Sequence, residues 1–320
     1  MNESASATPV AGPFRLKPFF SERVWGKPNL KPWYDDTGTD KLVGEAWLTG
    51  PQCIIATGPL AGRSLDEAAL AFPDELLTPG AMAEFPLLVK MLFPDAKLSV
   101  QVHPDDAQAQ AVGQHRGKTE CWYVLEAEPG ATVALGLKPG TTLDAVAVGA
   151  QDGSMESLLS WLPVSAGDMI FVDAGTVHAI GHGVVLLETQ QTCDVTYRLY
   201  DYGRPRELHL AQGLAVTKLH TAAGKVPPVA MNGFTRLIDQ RYFVVDRFDL
   251  AAGAIASLAD VTGVSGCVVC LKGSGTVVSD QGSVELGIGG AVVVPAKATG
   301  VSVKADEALT LFRCFEPKHG

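Results

Sequence analysis

Apolar and polar residues alternate along much of the chain in short runs cut by Gly and Pro, the pattern of strands joined by turns. In Ser99-Val100-Gln101-Val102-His103 a strand's period of two puts Gln101 and His103 on one face. Pro104 then ends the ladder, and Asp105 and Asp106 offer a cap for a helix in AQAQAVGQH. The chain returns through Gly117-Lys118-Thr119-Glu120 into the apolar run CWYVL, a path expected to bring Glu120 beside His103. Upstream, FRLKPFF, RVWG, GEAWLTG and CIIATG predict strands and turns. Ser64 before Leu-Asp-Glu reads as a capping box opening the helix SLDEAALAF, with a second helical turn through DELL. Lys90 interrupts the otherwise apolar FPLLVKMLF and is read as a lysine whose head snorkels to water in preference to a functional one.

Downstream, ATVALGL predicts a strand, and TTLDAVAVGAQDGSMESLLSWL one or two inserted helices. GDMIFVDAGTVHAIG, VVLLETQQ and VTYRLYDYGR predict three more strands, and RELHLAQGLAVTKLH a closing helix. Residues 221–232, rich in Pro and small side chains, read as a linker. Beyond it the pattern repeats: Cys121-Trp-Tyr-Val-Leu125 aligns with Cys267-Val-Val-Cys-Leu271, and Gly167 to Ala174 with Gly289 to Ala296. The expected organisation is therefore all-β, two related β-barrels with a few short inserted helices: 1–220, the linker 221–232, and 233–320. In the second copy Gly266 stands where the first has Glu120, and Gly300 where it has His178, so any metal chemistry is confined to the first.

Composition is that of a globular protein, 47% hydrophobic and 19% charged, and the formal net charge of −10 argues against nucleic acid or an anionic membrane as partner. The opening MNESASATPVAGPF has neither a basic region nor an apolar core and reads as a short tail. No segment is suited to span a membrane, and a cytoplasmic location is expected. The 6 cysteines fit reduced, buried thiols, including Cys267 and Cys270, whose CxxC spacing falls inside an apolar strand.

His178 follows the tight turn Asp173-Ala-Gly-Thr between two strands. With Gln101, His103 and Glu120 it forms a candidate shell of two nitrogens and two oxygens, a donor set that suits zinc and is also compatible with manganese, iron or nickel. His182 lies in turn and strand and is read as a surface histidine, and Trp25, Trp47 and Trp122 as core or barrel wall.

The strings QVHPDD, GKTECWY, AGTVHAI and ETQQTCDVTYRLYDYGR together resemble the type I mannose-6-phosphate isomerases (phosphomannose isomerases), in the short bacterial form without a helical insertion domain. The resemblance runs through most of the chain and is strongest from Leu98 to Arg204. It implies two cupin (jelly-roll) domains, one zinc per chain held by Gln101, His103, Glu120 and His178, and interconversion of mannose 6-phosphate and fructose 6-phosphate. That reaction moves a proton between C1 and C2 through a cis-enediol, and so needs a base, an electrophile and a phosphate clamp. Lys118, two residues before Glu120, shares its face and is a proton carrier or a cation for the phosphate. Asp194, Thr196 and Arg198 alternate along one expected strand; Arg198 is assigned as clamp, and Asp194 and Glu188 as acid/base candidates. The family's turn usually carries a proline where this chain has Asp173, a carboxylate expected to orient or perturb His178. A non-catalytic cupin that binds sugar phosphate and a cupin metal oxygenase are the alternatives, and a monomer or weak homodimer is expected.

Overall fold

The computed structural model describes residues 12–258 and 262–318; most of the expected N-terminal tail, residues 1–11, lies outside them. The all-β expectation holds. The strands form two seven-stranded sheets, one of five strands and one of four. Between them run the short helices Leu65–Ala71, Pro73–Leu76, Asp106–Gln110, Leu143–Asp152 and Leu210–Val216. The Ser64 capping box is formed with Glu67, and Thr142 caps the inserted helix. Two helices are shorter than the sequence suggests. Asp106–Gln110 stops where Gly113 turns left-handed, and the closing helix is confined to Leu210–Val216. Among the described residues no helix is long and apolar enough to cross a membrane.

The chain folds into two compact units that are discontinuous in sequence. One comprises Phe20–Trp47 and Leu88–Pro228; the other takes the chain up to Phe19, Leu48–Leu87 and everything from Val229. The contiguous division at 221–232 therefore differs from the structure, and strand exchange is the reason. Phe14–Leu16, at the start of the chain, pairs antiparallel with Ala291–Val294. Gly224–Val226, inside the expected linker, pairs with Met169–Val172. Leu48–Leu87 is tied to the C-terminal residues by bonds such as Ala296 N–H to the Leu76 carbonyl. Such long-range pairings leave no mark in local composition.

The internal repeat is visible in the large sheets, where six strands follow the same order and only the edge strand next to them differs, coming late in the chain in the first unit and before the rest in the second. In the first unit the large sheet runs Gly224–Val226, Met169–Val172, Glu120–Ala127, Val184–Gln191, Leu87–Leu92, Val43–Trp47, Phe19–Lys27. In the second it runs Phe14–Leu16, Ala291–Val294, Gly266–Lys272, Leu309–Phe315, Val244–Leu250, Thr235–Asp239, Val229–Ala230. Glu120 and Gly266 open the third strand of each, facing Val172 and Val294 respectively. In the first unit the smaller sheet has the order Tyr197–Tyr200, Val100–Val102, His178–Ile180, Thr132–Leu137, Leu159–Pro163. Trp122, Val124, Ile170, Val133 and Leu186 are fully buried in its core, each aliphatic side chain contributing about 1.5–3 kcal/mol. All six cysteines are buried, and none forms a disulfide.

Candidate active site

The inward face of Glu120–Ala127 changes character along its length: Trp122 and Val124 enter the core, while Glu120 at the strand's start stays in the polar end. Its placement depends on the tight return that precedes it. Asp105 and Gln108 form a reciprocal capping box, Lys118 N–H donates to the Pro104 carbonyl at 2.9 Å, and Gly117 N–H donates to Asp106 at 2.8 Å. Only glycine fits at 117, since a Cβ there would lie 2.5 Å from the Asp105 carbonyl carbon.

His103, Glu120 and His178 converge, with one candidate ligand atom from each lying within 4.8 Å of the others. His178 opens a strand paired with Val100–Val102, opposite Gln101, and His103 follows that partner strand directly. Both imidazoles are held in one tautomer. His103 Nδ1–H donates to the Val195 carbonyl and His178 Nδ1–H to that of Thr176, each at 2.9 Å, so each Nε2 presents its lone pair to the centre, where the Lys118 ammonium donates to that of His103 at 3.1 Å. Burial, reinforced by the Lys118 charge, holds the His103 pKa well below the usual imidazole value. Burial likewise brings His178 to about 4, against the opposing pull of the Thr176 carbonyl. Both rings are thus neutral at neutral pH, the form a metal requires. Glu120 is fully buried, its oxygens 3.4 Å from His178 Nε2 and 3.6 Å from His103 Nε2, and neither oxygen has a hydrogen-bond donor among the described residues. The Lys118 ammonium lies 3.1 Å from Glu120 Oε2, outside hydrogen-bonding direction. A buried carboxylate without donors beside two imidazole lone pairs fits a divalent cation. Gln101 joins the group, with its amide nitrogen 3.2 Å from His178 Nε2 and its Oε1 accepting from Ser99 at 3.2 Å; a half-turn of the amide would exchange the two atoms.

A cavity of about 410 Å³ lies beside the triad, lined by Gln101, Lys118, Glu188, Asp194 and Arg198 together with Arg23, Glu45, Lys90 and Arg206. Its inner wall is a row of alternating charge. Glu188 lies 3.1 Å from Lys90 and 3.8 Å from Lys118, and all three are buried. Glu45 accepts from the Trp47 indole at 2.8 Å and pairs with Arg23 at 3.0 Å. Burial would raise the Glu45 pKa, but Lys90, Arg23 and the indole outweigh it and bring it to about 2. For Glu188 burial and the neighbouring Glu120 prevail over the two lysines, and its pKa is raised. Burial works against the charge on Lys90, yet Glu188 and Glu45 keep its pKa above the ordinary lysine value.

Residues 14–136 match the phosphomannose isomerase type I catalytic domain. The probable mannose-6-phosphate isomerase GmuF of Bacillus subtilis (strain 168) is 32% identical over 299 residues, spanning 89% of this chain and 93% of that protein. The chain belongs to the type I phosphomannose isomerase family. The mannose-6-phosphate isomerase of Streptococcus mutans serotype c (strain ATCC 700610 / UA159) is 34% identical over 255 residues, covering 76% of this chain and 80% of that one. The crystal structure of the mannose 6-phosphate isomerase from Bacillus subtilis matches with a TM-score of 0.84 at 28% identity, covering 95% of this chain and 99% of that chain.

In this phosphomannose isomerase fold Gln101, Lys118, Glu188, Asp194 and Arg198 line the cavity, and His103, Glu120 and His178 cluster beside it, by routes that differ in part from those expected. Asp194 and Thr196 precede the strand Tyr197–Tyr200 and do not share it with Arg198, yet all three line the cavity. Arg198 lies opposite Gln101 and is anchored by donation from Nη1 to the Glu207 carbonyl at 2.6 Å. His209, which has no pattern in the sequence, accepts the Arg198 backbone N–H at 3.2 Å. Lys90 does not snorkel; it is 3% exposed and its ammonium meets Glu188 inside the cavity wall. Asp173 accepts from the Thr176 hydroxyl at 2.8 Å and from Ala222 N–H at 3.2 Å. It closes the turn, while His178 is oriented by the Thr176 carbonyl. Arg23, Glu45 and Arg206 carried no local signal, since isolated charges on strands and turns look like solvated surface until partner strands enclose them. His182 is exposed, as expected of its place in turn and strand.

Proposed function

We propose that this phosphomannose isomerase family member interconverts mannose 6-phosphate and fructose 6-phosphate using one zinc ion held by His103, Glu120, His178 and Gln101 through Oε1. The observation that carries the reading is the buried Glu120, without a hydrogen-bond donor among the described residues, between two imidazoles of fixed tautomer and beside a cavity with both acidic and basic walls. The bound metal supplies a Lewis acid for negative charge on the sugar's reacting oxygens.

The chain's own residues supply the rest. The proton moves between C1 and C2 through a cis-enediol, on one face of the open-chain sugar. Glu188 is the stronger candidate for this transfer: it is buried, its pKa is raised, and it lines the cavity with its Oε1 between the Lys90 and Lys118 ammonium groups. Asp194, exposed on the same cavity's wall, is the other acid/base candidate. Lys118, placed between Glu188 and Glu120, carries protons or balances charge along that wall. Arg198 clamps the phosphate or the enediolate; its Nε is buried and makes no hydrogen bond among the described residues.

The test is to incubate the purified protein with fructose 6-phosphate, with and without a chelator, and to follow mannose 6-phosphate by NMR. Metal-dependent product, restored by zinc after chelation, is expected. No product with zinc fully loaded would leave a sugar-phosphate-binding cupin, and iron-dependent oxygen uptake would make it an oxygenase.

A further inference from the structure

At the cavity's outer wall Arg206 stands with Arg198, and the two are held differently. Arg198 forms no ion pair among the described residues; its Nη1 donates to the Glu207 carbonyl, and its own buried Nε makes no hydrogen bond among them. Arg206 is gripped by Asp201, 2% exposed, which accepts from Arg206 Nε and Nη2 at 2.7 Å each. Asp201 also accepts from Arg204 Nε at 3.1 Å and Nη2 at 2.7 Å, while Arg204 Nη2 donates further to the Lys97 carbonyl at 2.9 Å. One carboxylate thus carries two guanidinium groups, leaving the cluster net cationic beside Arg198. Asp201 grips one edge of the Arg206 fork, and Nη1 makes no hydrogen bond among the described residues. The turn that makes this grip possible is strained. Tyr202 is the one non-glycine residue with positive φ among those described, at 55°, and it is followed by Gly203 at 77°. The left-handed pair folds Arg204 and Arg206 back onto Asp201.

We propose that Asp201 is a positioning residue that presets Arg206 as a second guanidinium beside Arg198, and that Arg206 selects the phosphorylated sugar over the free one. The proposal rests on the isomerase reading for its substrate. A phosphate dianion has acceptor oxygens for two forks at once, and a fork already fixed by a buried carboxylate loses little side-chain freedom on binding it. Arg23, at the same cavity, is already paired with Glu45.

The experiment compares metal-loaded wild type, Arg206→Ala, Arg206→Lys and Asp201→Asn. It measures KM and kcat for mannose 6-phosphate, the ratio of kcat/KM for mannose 6-phosphate over mannose, and affinity for inorganic phosphate by calorimetry. Arg206→Ala is expected to raise KM and weaken phosphate binding by about tenfold or more, with the loss in KM rather than kcat, and to lower the ratio in proportion. Arg206→Lys should recover part of it. Asp201→Asn keeps the side chain's size and should shift KM in the same direction, whereas a purely structural staple would lower the melting temperature and leave KM of the folded enzyme alone. KM and phosphate affinity within twofold of wild type in Arg206→Ala and Asp201→Asn overturn the proposal. Should wild type bind phosphate through Arg206 yet fail to turn over either sugar phosphate, the isomerase reading falls and the anion site stands. Should wild type isomerise with phosphate affinity indifferent to Arg206, the site falls alone.

Discussion

The two units use one strand order for opposite purposes. In the first, the third strand of the large sheet opens with Glu120, and the residues around it leave a cavity with a charged wall. In the second, that position is Gly266, where a Cβ would lie 2.6 Å from the Cys314 carbonyl oxygen and 2.9 Å from the Phe315 Cβ. The neighbouring strands carry charge in both units with the signs exchanged. Glu45, Lys90 and Glu188 interact in the first; Arg236, Asp246 and Arg313 occupy the corresponding strands in the second. Asp246 is fully buried and accepts from both arginines, the shortest contact being 2.6 Å from Arg313, whose guanidinium is packed among Phe234, Phe248 and Phe315. Its charges are closed on themselves, whereas the first unit's row ends at Glu120, whose oxygens face Lys118 and both imidazoles without a hydrogen bond among the described residues. The same scaffold becomes a site or a plug according to whether its buried charges complete their hydrogen bonds with one another.

Breaking the triad should have the largest effect. Glu120→Gln and His178→Ala are each expected to lose bound metal, measured by elemental analysis, and activity by on the order of 10³–10⁴-fold, the several kcal/mol that a Lewis acid contributes. In the second unit, Asp246→Ala removes the buried carboxylate that Arg313 and Arg236 share, and should cost about 3–5 kcal/mol in denaturant unfolding while the folded fraction keeps its metal. Loss of metal in that variant would show that the second unit is more than a plug. Arg198→Ala should retain metal and lower kcat/KM by roughly 10²-fold; full activity would remove Arg198 from the clamp. The smallest effect concerns pH. Glu45 is held at about 2 in the fold, against an ordinary 4.5, so its contribution is complete above pH 4.5. As pH falls from there to about 2, the unfolded chain takes up a proton that the folded one refuses, and the contribution, about 3 kcal/mol at most, is lost. Glu45→Gln should flatten that part of the stability profile, measured by denaturant melts across the range.

Much of the site is legible in the sequence because its candidate ligands sit on local patterns: Gln101 and His103 two apart, Glu120 at a strand start, His178 after a glycine turn. The alternating rhythm of short apolar runs determined the all-β class, and the Glu120-to-Gly266 and His178-to-Gly300 substitutions determined which repeat holds the chemistry. Tertiary structure alone decided that Lys90 turns inward to Glu188, that Asp173 acts on the turn and not on the imidazole, and that Phe14–Leu16 and Gly224–Val226 complete sheets far from their neighbours in sequence. The physical reason is common to all three. The state of a buried charge and the edge a strand pairs with depend on groups far away along the chain, and periodicity records which face a side chain takes but not what meets it there.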